Sequence, residues 1–189
     1  MNTSKQHLAI RKLCEGALMI AFAELLSFLP LYKMPWGGSV DLAMLPIFVL
    51  CARWGFGPGM LASVAHAILQ TLFEGGIAIG WESILGDFLV AYSVMGFAGL
   101  CWKQKGGFYL GTLVGCGLRF LVHYVVGATI WAAYMPETFF GMTMTTPWFY
   151  SALYNGAYMV IDCVLILFVG FLLMKTPAKK YLRPYEAQD

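Results

Sequence analysis

The sequence predicts an all-α membrane protein, a six-transmembrane-helix bundle with both termini in the cytoplasm. Three observations carry this. The 189 residues are 60% hydrophobic and only 12% charged, with a mean hydropathy of +0.71, whereas soluble domains carry roughly 25% charged residues. The apolar runs have the length of membrane helices, not the roughly ten-residue alternation of barrel strands. Lys and Arg fall on one side of the predicted bundle. At this length residues 1–189 are expected to form a single integral membrane domain in the lipid bilayer.

The first predicted helix covers about residues 11–29 and stops at Pro30. A loop follows from Leu31 to Val40 and contains Trp36-Gly37-Gly38. The second helix covers about 41–53 and is short against the roughly 20 residues a span needs. The third, about 58–73, opens with Pro58, which suits a first helical turn because its missing N–H has no partner there anyway. The fourth covers 81–102, the fifth 108–134 and the sixth 148–174, followed by a polar, basic tail.

An inside N-terminus places Lys5, Arg11, Lys12, Arg53, Lys103, Lys105 and the basic tail residues on the cytoplasmic side, and only Lys33 outside. The formal net charge is +2. These residues read as topology signals, so no nucleic-acid partner is expected. The five cysteines are scattered, with no CxxC spacing, and neither a metal site nor a cofactor is expected. No cleavable signal peptide is expected, because Glu15 and Glu24 interrupt the first apolar run. No GxxxxGK[ST] pattern occurs, so ATP hydrolysis is not expected on this chain.

The fifth apolar run carries Arg119, His123, Gly127 and Trp131 at every fourth residue, one slowly winding stripe on an α-helix. Arg and His are costly in hydrocarbon and face a bundle interior or a wet cavity. Gly127 leaves room for a flat group between His123 and Trp131, whose indole can stack or attract a cation or, near the outer end, serve as an interfacial anchor. Arg119 reads as structural, either snorkelling inward or pairing with an acid, Asp162 or Glu24. Asp87 in the fourth helix can counter a bound organic cation, pair with Arg119 or stand on a solvated rim. Tyr150 and Asn155 open the sixth helix: Tyr150 fits an interfacial belt, while the Asn155 amide suits either a heterocycle edge or an interhelical bond. His66 is a ligand contact or a packing hydrogen-bonder, and Trp36 a lid or an interfacial anchor. Ala17 and Ala21, one turn apart on the first helix, let another helix approach closely or serve internal packing. No HExxH, GxSxG or paired-carboxylate pattern points to an enzyme.

Several segments resemble the thiamine-specific S-components (ThiT-type) of energy-coupling factor (ECF) vitamin transporters. They are Gly37-Gly38-Ser39 through Leu42, Met44-Leu45-Pro46, Gly55 to Gly59, the Arg119/His123/Gly127/Trp131 stripe, and Tyr150-Ser151-Ala152-Leu153-Tyr154-Asn155. The resemblance covers most of the chain in order. It implies a thiamine pocket open to the outside with the first loop as lid. As partners it implies an ECF transmembrane scaffold subunit and two cytoplasmic ATPases. It maps the stacking tryptophan onto Trp131, the pocket histidine onto His123, a tyrosine and an asparagine onto Tyr150 and Asn155, the lid onto Trp36, and the scaffold-docking pair onto Ala17 and Ala21. Two positions depart. The acid–tyrosine pair of the fourth helix reads Asp87-Phe88, and His66 stands where some members have an aromatic.

The expectation is therefore a substrate-binding subunit, not an enzyme, that holds thiamine for uptake driven by its partners' ATP hydrolysis at the plasma membrane. The alternatives are an S-component for another vitamin or a thiamine precursor, a membrane enzyme using His123 and Asp87, and a polytopic scaffold.

Overall fold

The computed structural model describes residues 3–34 and 38–187. Six helical segments dominate them. Helix α1 runs Thr3–Ser27, α2 Met44–Trp54, α3 Phe56–Glu74, α4 Trp81–Cys101, α5 Gly107–Thr129 and α6 Pro147–Met174. Of these α3, α4, α5 and α6 are long and apolar enough to cross a membrane. Two short hairpins fill loops: β1 (Tyr32–Lys33) pairs antiparallel with β2 (Ser39–Val40), and β3 (Thr138–Phe139) with β4 (Met142–Thr143).

Local chemistry sets the element ends. Thr146 caps α6 by accepting a bond from Phe149 N at 3.1 Å, and Pro147 occupies the first turn. Asp41 organises the start of α2. Its Oδ1 accepts from Ala43 N at 2.8 Å, while its own N–H donates to Asp162 Oδ1 on α6 at 2.9 Å. A single residue, Gly55 at φ 79°, joins α2 to α3, a left-handed value that only glycine adopts without strain. Small residues set the spacing elsewhere: a Cβ on Gly96 of α4 would stand 2.6 Å from Met60 Cα of α3.

The core is built around α2, which is buried along nearly its whole length. Its short 11 residues lie inside the bundle, where Met44, Ile47, Phe48 and Leu50 are wrapped by the longer helices. At its far end Arg53, only 2% exposed, forms an ion pair with Glu15 of α1, and Trp54 Nε1 donates to the same carboxylate at 2.7 Å.

Several features differ from the sequence reading, beyond shifts of two or three residues at the end of α1 and the starts of α2 and α3. Helix α1 starts at Thr3, because its charged first turns contain no helix breaker. Helix α5 stops at Thr129 rather than 134, and a 3₁₀ turn follows at Ala132–Tyr134. The tail is not merely solvated: 3₁₀ turns at Pro177–Leu182 and Tyr185–Ala187 fold back on the bundle. Leu182 is buried there, and Tyr185 stacks on Trp54 at 4.6 Å between ring centroids.

Helix α4 is irregular. It winds as α at Trp81–Ser83, as π at Ile84–Val90, as α again at Ala91–Ser93 and as 3₁₀ at Val94–Cys101. Such π turns inside helices recur at functional sites, and this one carries Asp87.

Candidate functional site

A cavity of about 850 Å³, counting its open mouth, lies where the end of α3, the start of α4, the end of α5 and the start of α6 meet the first hairpin. Glu74 comes from α3, and Asp87, Phe88 and Tyr92 from α4. Arg119, His123 and Gly127 come from α5, Trp131 and Tyr134 from the segment after it. Helix α6 adds Tyr150, Ser151, Tyr154, Asn155 and Tyr158, and the hairpin adds Gly38 and Ser39.

Asp87 is the hub of one wall. Its Oδ2 accepts from Trp131 Nε1 at 2.7 Å and from Ser83 Oγ at 3.1 Å. Its Oδ1 faces His123 Nδ1 at 3.0 Å. Arg119 Nε donates to His123 Nε2 at 3.4 Å, so Nε2 is the accepting nitrogen and Nδ1–H the donor to Asp87. The three side chains therefore form a relay of cation, neutral imidazole and anion. Three donors hold the Asp87 carboxylate, and two of them fix rings: the indole of Trp131 and the imidazole of His123.

The Arg119 guanidinium lies 4.1 Å from the Tyr92 ring centroid, a cation–π contact that helps hold a cation away from water. Neither expected acid pairs with it. Glu24 instead bonds His66 Nδ1 at 2.6 Å and Gln70 Nε2 at 2.9 Å, and Asp162 accepts from Asp41. Arg119 lines the cavity rather than standing below it.

A tyrosine ladder on α6 lines the cavity next to this group, with Tyr158 edge-on to His123 at 6.3 Å between ring centroids. Tyr150 and Tyr154 ring centroids are 5.6 Å apart, and Tyr154 and Tyr158 6.2 Å. Phe139 of the β3–β4 hairpin covers the first two, at 5.4 and 5.8 Å. Tyr158 OH donates to Asn155 Oδ1 at 2.8 Å, while Asn155 Nδ2 bonds Ser151 O, Ser151 Oγ and His123 O at 3.1, 3.0 and 3.3 Å. Asn155 thus ties α6 to α5 and borders the cavity at once.

The same architecture occurs in a solved structure of ThiT from Listeria monocytogenes, with a TM-score of 0.79 over 92% of this chain and 98% of that one, at 24% identity. The thiamine transporter protein family (Thia_YuaJ) matches residues 13–182. The chain belongs to that family. Two relatives, both thiamine transporters named ThiT, agree. One from Bacillus subtilis is 30% identical over 91% of this chain and 94% of its own length. One from Lacticaseibacillus paracasei is 27% identical, with 92% of each covered. A family of transporters with several apolar helices makes this a multi-pass plasma-membrane protein and sets the enzyme alternative aside.

For this family member the structure gathers most of the residues singled out from the sequence. Asp87, Phe88, His123, Gly127, Trp131, Tyr150 and Asn155 all line the cavity. His66 does not. It is fully buried between α1 and α3, bonded to Glu24, with its ring edge-on to the back of Tyr92 at 5.3 Å. The room beside Gly127 is taken as well: a Cβ there would overlap Ser151 Oγ, so the glycine serves close approach of α5 to α6 rather than a slot between His123 and Trp131. Trp131 lies beyond the α-helix, at φ −89° and ψ 6°, and reaches the wall through its bond to Asp87 rather than by helical periodicity. Trp36 lies outside the described residues. Ala17 and Ala21 are exposed and, with Ile20, Ala65, Ile68 and Leu69, edge an apolar surface groove between α1 and α3.

Sequence reasoning does not single out Glu74 or Ser151, and it sets Arg119 outside the pocket. It also misses the β3–β4 hairpin, although Phe140-Gly141, at φ 50° and 73°, is a two-residue turn with a legible glycine signal.

Proposed function

We propose that this chain is the substrate-binding subunit, or S-component, of an ECF-type importer, and that thiamine is its ligand. Family membership and the names of both relatives support thiamine. The observation that carries the binding mode is the Asp87-centred network, which holds the Trp131 indole and the His123 imidazole as rigid walls of one cavity. Walls fixed before a ligand arrives reduce the ordering cost of binding.

In this reading the flat aminopyrimidine and thiazolium rings lie against Trp131 and the tyrosines. Asn155 and Tyr158 meet the heterocycle edge, and His123 or Tyr150 holds the hydroxyethyl tail. Phe88 contributes a ring face, stacked over Tyr92 at 6.5 Å between centroids, where the family pattern has a phenol. Residues 1–189 act as one membrane domain whose six helices cross the bilayer with both termini in the cytoplasm. The short, buried α2 is the exception in length. The cavity then opens outward, and the Arg53–Trp54–Tyr185 end faces inward. Trp36 in the first loop acts as the lid. The exposed Ala17 and Ala21 pack against a transmembrane scaffold subunit, and two ATPases drive uptake by reorienting the loaded bundle.

The test is a titration of the detergent-purified chain with thiamine, followed by tryptophan fluorescence. Saturable quenching that disappears in Trp131→Ala is the expected result. No response to thiamine or to its separate pyrimidine and thiazole halves overturns the reading.

A further inference from the structure

The charges around the cavity do not divide as the sequence suggests. Asp87 is the obvious counter-charge for a cation, yet it is already engaged. Three donors occupy it, and Arg119 offsets its charge across a single imidazole. Seen from the mouth, Asp87 and Arg119 form a dipole rather than a net charge. The other acid lining the cavity is Glu74, at the last residue of α3. Its side chain is 19% exposed, and among the described residues its ion partner is Lys33 of the first hairpin, at 3.8 Å. Lys33 is 61% exposed, so the pair sits in water on one side. Such pairs are weak and open readily.

We infer that Glu74 is the residue that selects a positively charged ligand, with Lys33 holding its place until the ligand arrives. This inference rests on the proposed function and goes beyond it by placing cation selection at the mouth rather than at Asp87. An acid at a low-dielectric mouth focuses field lines and raises the capture rate of a cation. The Lys33 ammonium competes for the same carboxylate. It also ties β1 to the end of α3, while Gly38, just before β2, packs against Tyr158 of the cavity lining. Exchange of Lys33 for the ligand's charge therefore occurs where the first hairpin meets the cavity wall.

The experiment is stopped-flow tryptophan fluorescence on the full chain, with thiamine and with its neutral isostere in which a thiophene replaces the thiazolium. In Glu74→Gln the association rate for thiamine is expected to fall about tenfold at low ionic strength, and its salt dependence to flatten. The rate for the neutral isostere stays as in the unaltered chain. In Lys33→Ala, association of thiamine is expected to speed up severalfold at low ionic strength, because Glu74 loses its competitor. The inference is overturned if Glu74→Gln captures thiamine at the unaltered rate, or slows both ligands equally. If Glu74→Gln does not fold, Lys33→Ala decides alone, and an unchanged rate there overturns the inference. Failure of the unaltered chain to bind thiamine at all removes the proposed function and this inference with it. Binding with no charge discrimination removes only the inference.

Discussion

Replacing Gly127 by alanine tests whether the cavity depends on the close approach of α5 to α6. The new methyl would overlap Ser151 Oγ and stand 3.1 Å from Asn155 Nδ2. Ser151 Oγ donates to Tyr124 O at 2.8 Å and accepts from Asn155 Nδ2 at 3.0 Å, so pushing it aside disturbs two hydrogen bonds. Overpacking costs about 1–3 kcal/mol, and each displaced bond adds about 1 kcal/mol. The expected loss is about 3–5 kcal/mol of stability. Asn155 also carries Tyr158 at 2.8 Å, so the displacement reaches the ligand wall. A binding loss of about 1.4–2.8 kcal/mol corresponds to tenfold to hundredfold weaker thiamine affinity. Thermal unfolding in detergent and a fluorescence titration read the two effects. The pair Gly127→Ala with Ser151→Ala should recover the overpacking part, about 1–3 kcal/mol, but not the two hydrogen bonds of the hydroxyl, because the hydroxyl is the obstructing atom and Ser151 Cβ lies 3.3 Å from the added methyl. A single variant as stable and as tight-binding as the original, or a double variant no better than the single, would refute the reasoning.

Other substitutions separate the remaining roles. Asp87→Ala leaves the Trp131 and His123 N–H groups without their acceptor and should cost about 2–5 kcal/mol in binding. Asp87→Asn, which keeps one accepting oxygen, should lose less, and equal losses in the two would contradict the hub role. His66→Leu leaves Glu24 with Gln70 as its remaining side-chain donor and should lower stability by about 1–3 kcal/mol. It should leave thiamine affinity in the folded fraction within about threefold, since His66 lies behind Tyr92. A large affinity change measured by calorimetry would return His66 to the site. Leucine at both Ala17 and Ala21 should abolish uptake in vesicles carrying the partner subunits yet spare binding by the isolated chain; lost binding would show that this groove supports internal packing.

Much of this is legible because membrane helices write themselves in hydropathy and ligand walls in misplaced polarity. Asp87, His123, Tyr150 and Asn155 stand out as polar groups in apolar runs, and the structure gathers them in one cavity. Trp131 stands out partly for the wrong reason. Its spacing from Gly127 suggests helical continuity, but α5 has ended by then, and a hydrogen bond to another helix brings the ring into the wall. Arg119 and His66 show the reverse limit. Both are costly residues in lipid, and which acid satisfies each depends on helix rotation, which one chain's periodicity does not reveal. Glu74 sits at a helix end, where an acid looks like ordinary solvated surface. The tail reads as solvated because Lys179, Lys180 and Arg183 dominate its composition, yet Leu182, Tyr181 and Tyr185 do the packing.

The two windings of α4 have a consequence for how this cavity changes over time. A π stretch carries more residues per turn than an α-helix, and the 3₁₀ stretch after it carries fewer. Removing one residue between Ile84 and Val90 lets that stretch relax toward ordinary winding, which keeps the flanking segments nearly in phase but re-aims the side chains within the stretch by tens of degrees. Gly96 is held by its close fit to Met60, so the change falls on Asp87. The carboxylate would then swing out of reach of His123 and Trp131, with every side chain in the wall unaltered. Helix length, not residue identity, is thus the shortest mutational route from this pocket to a different one.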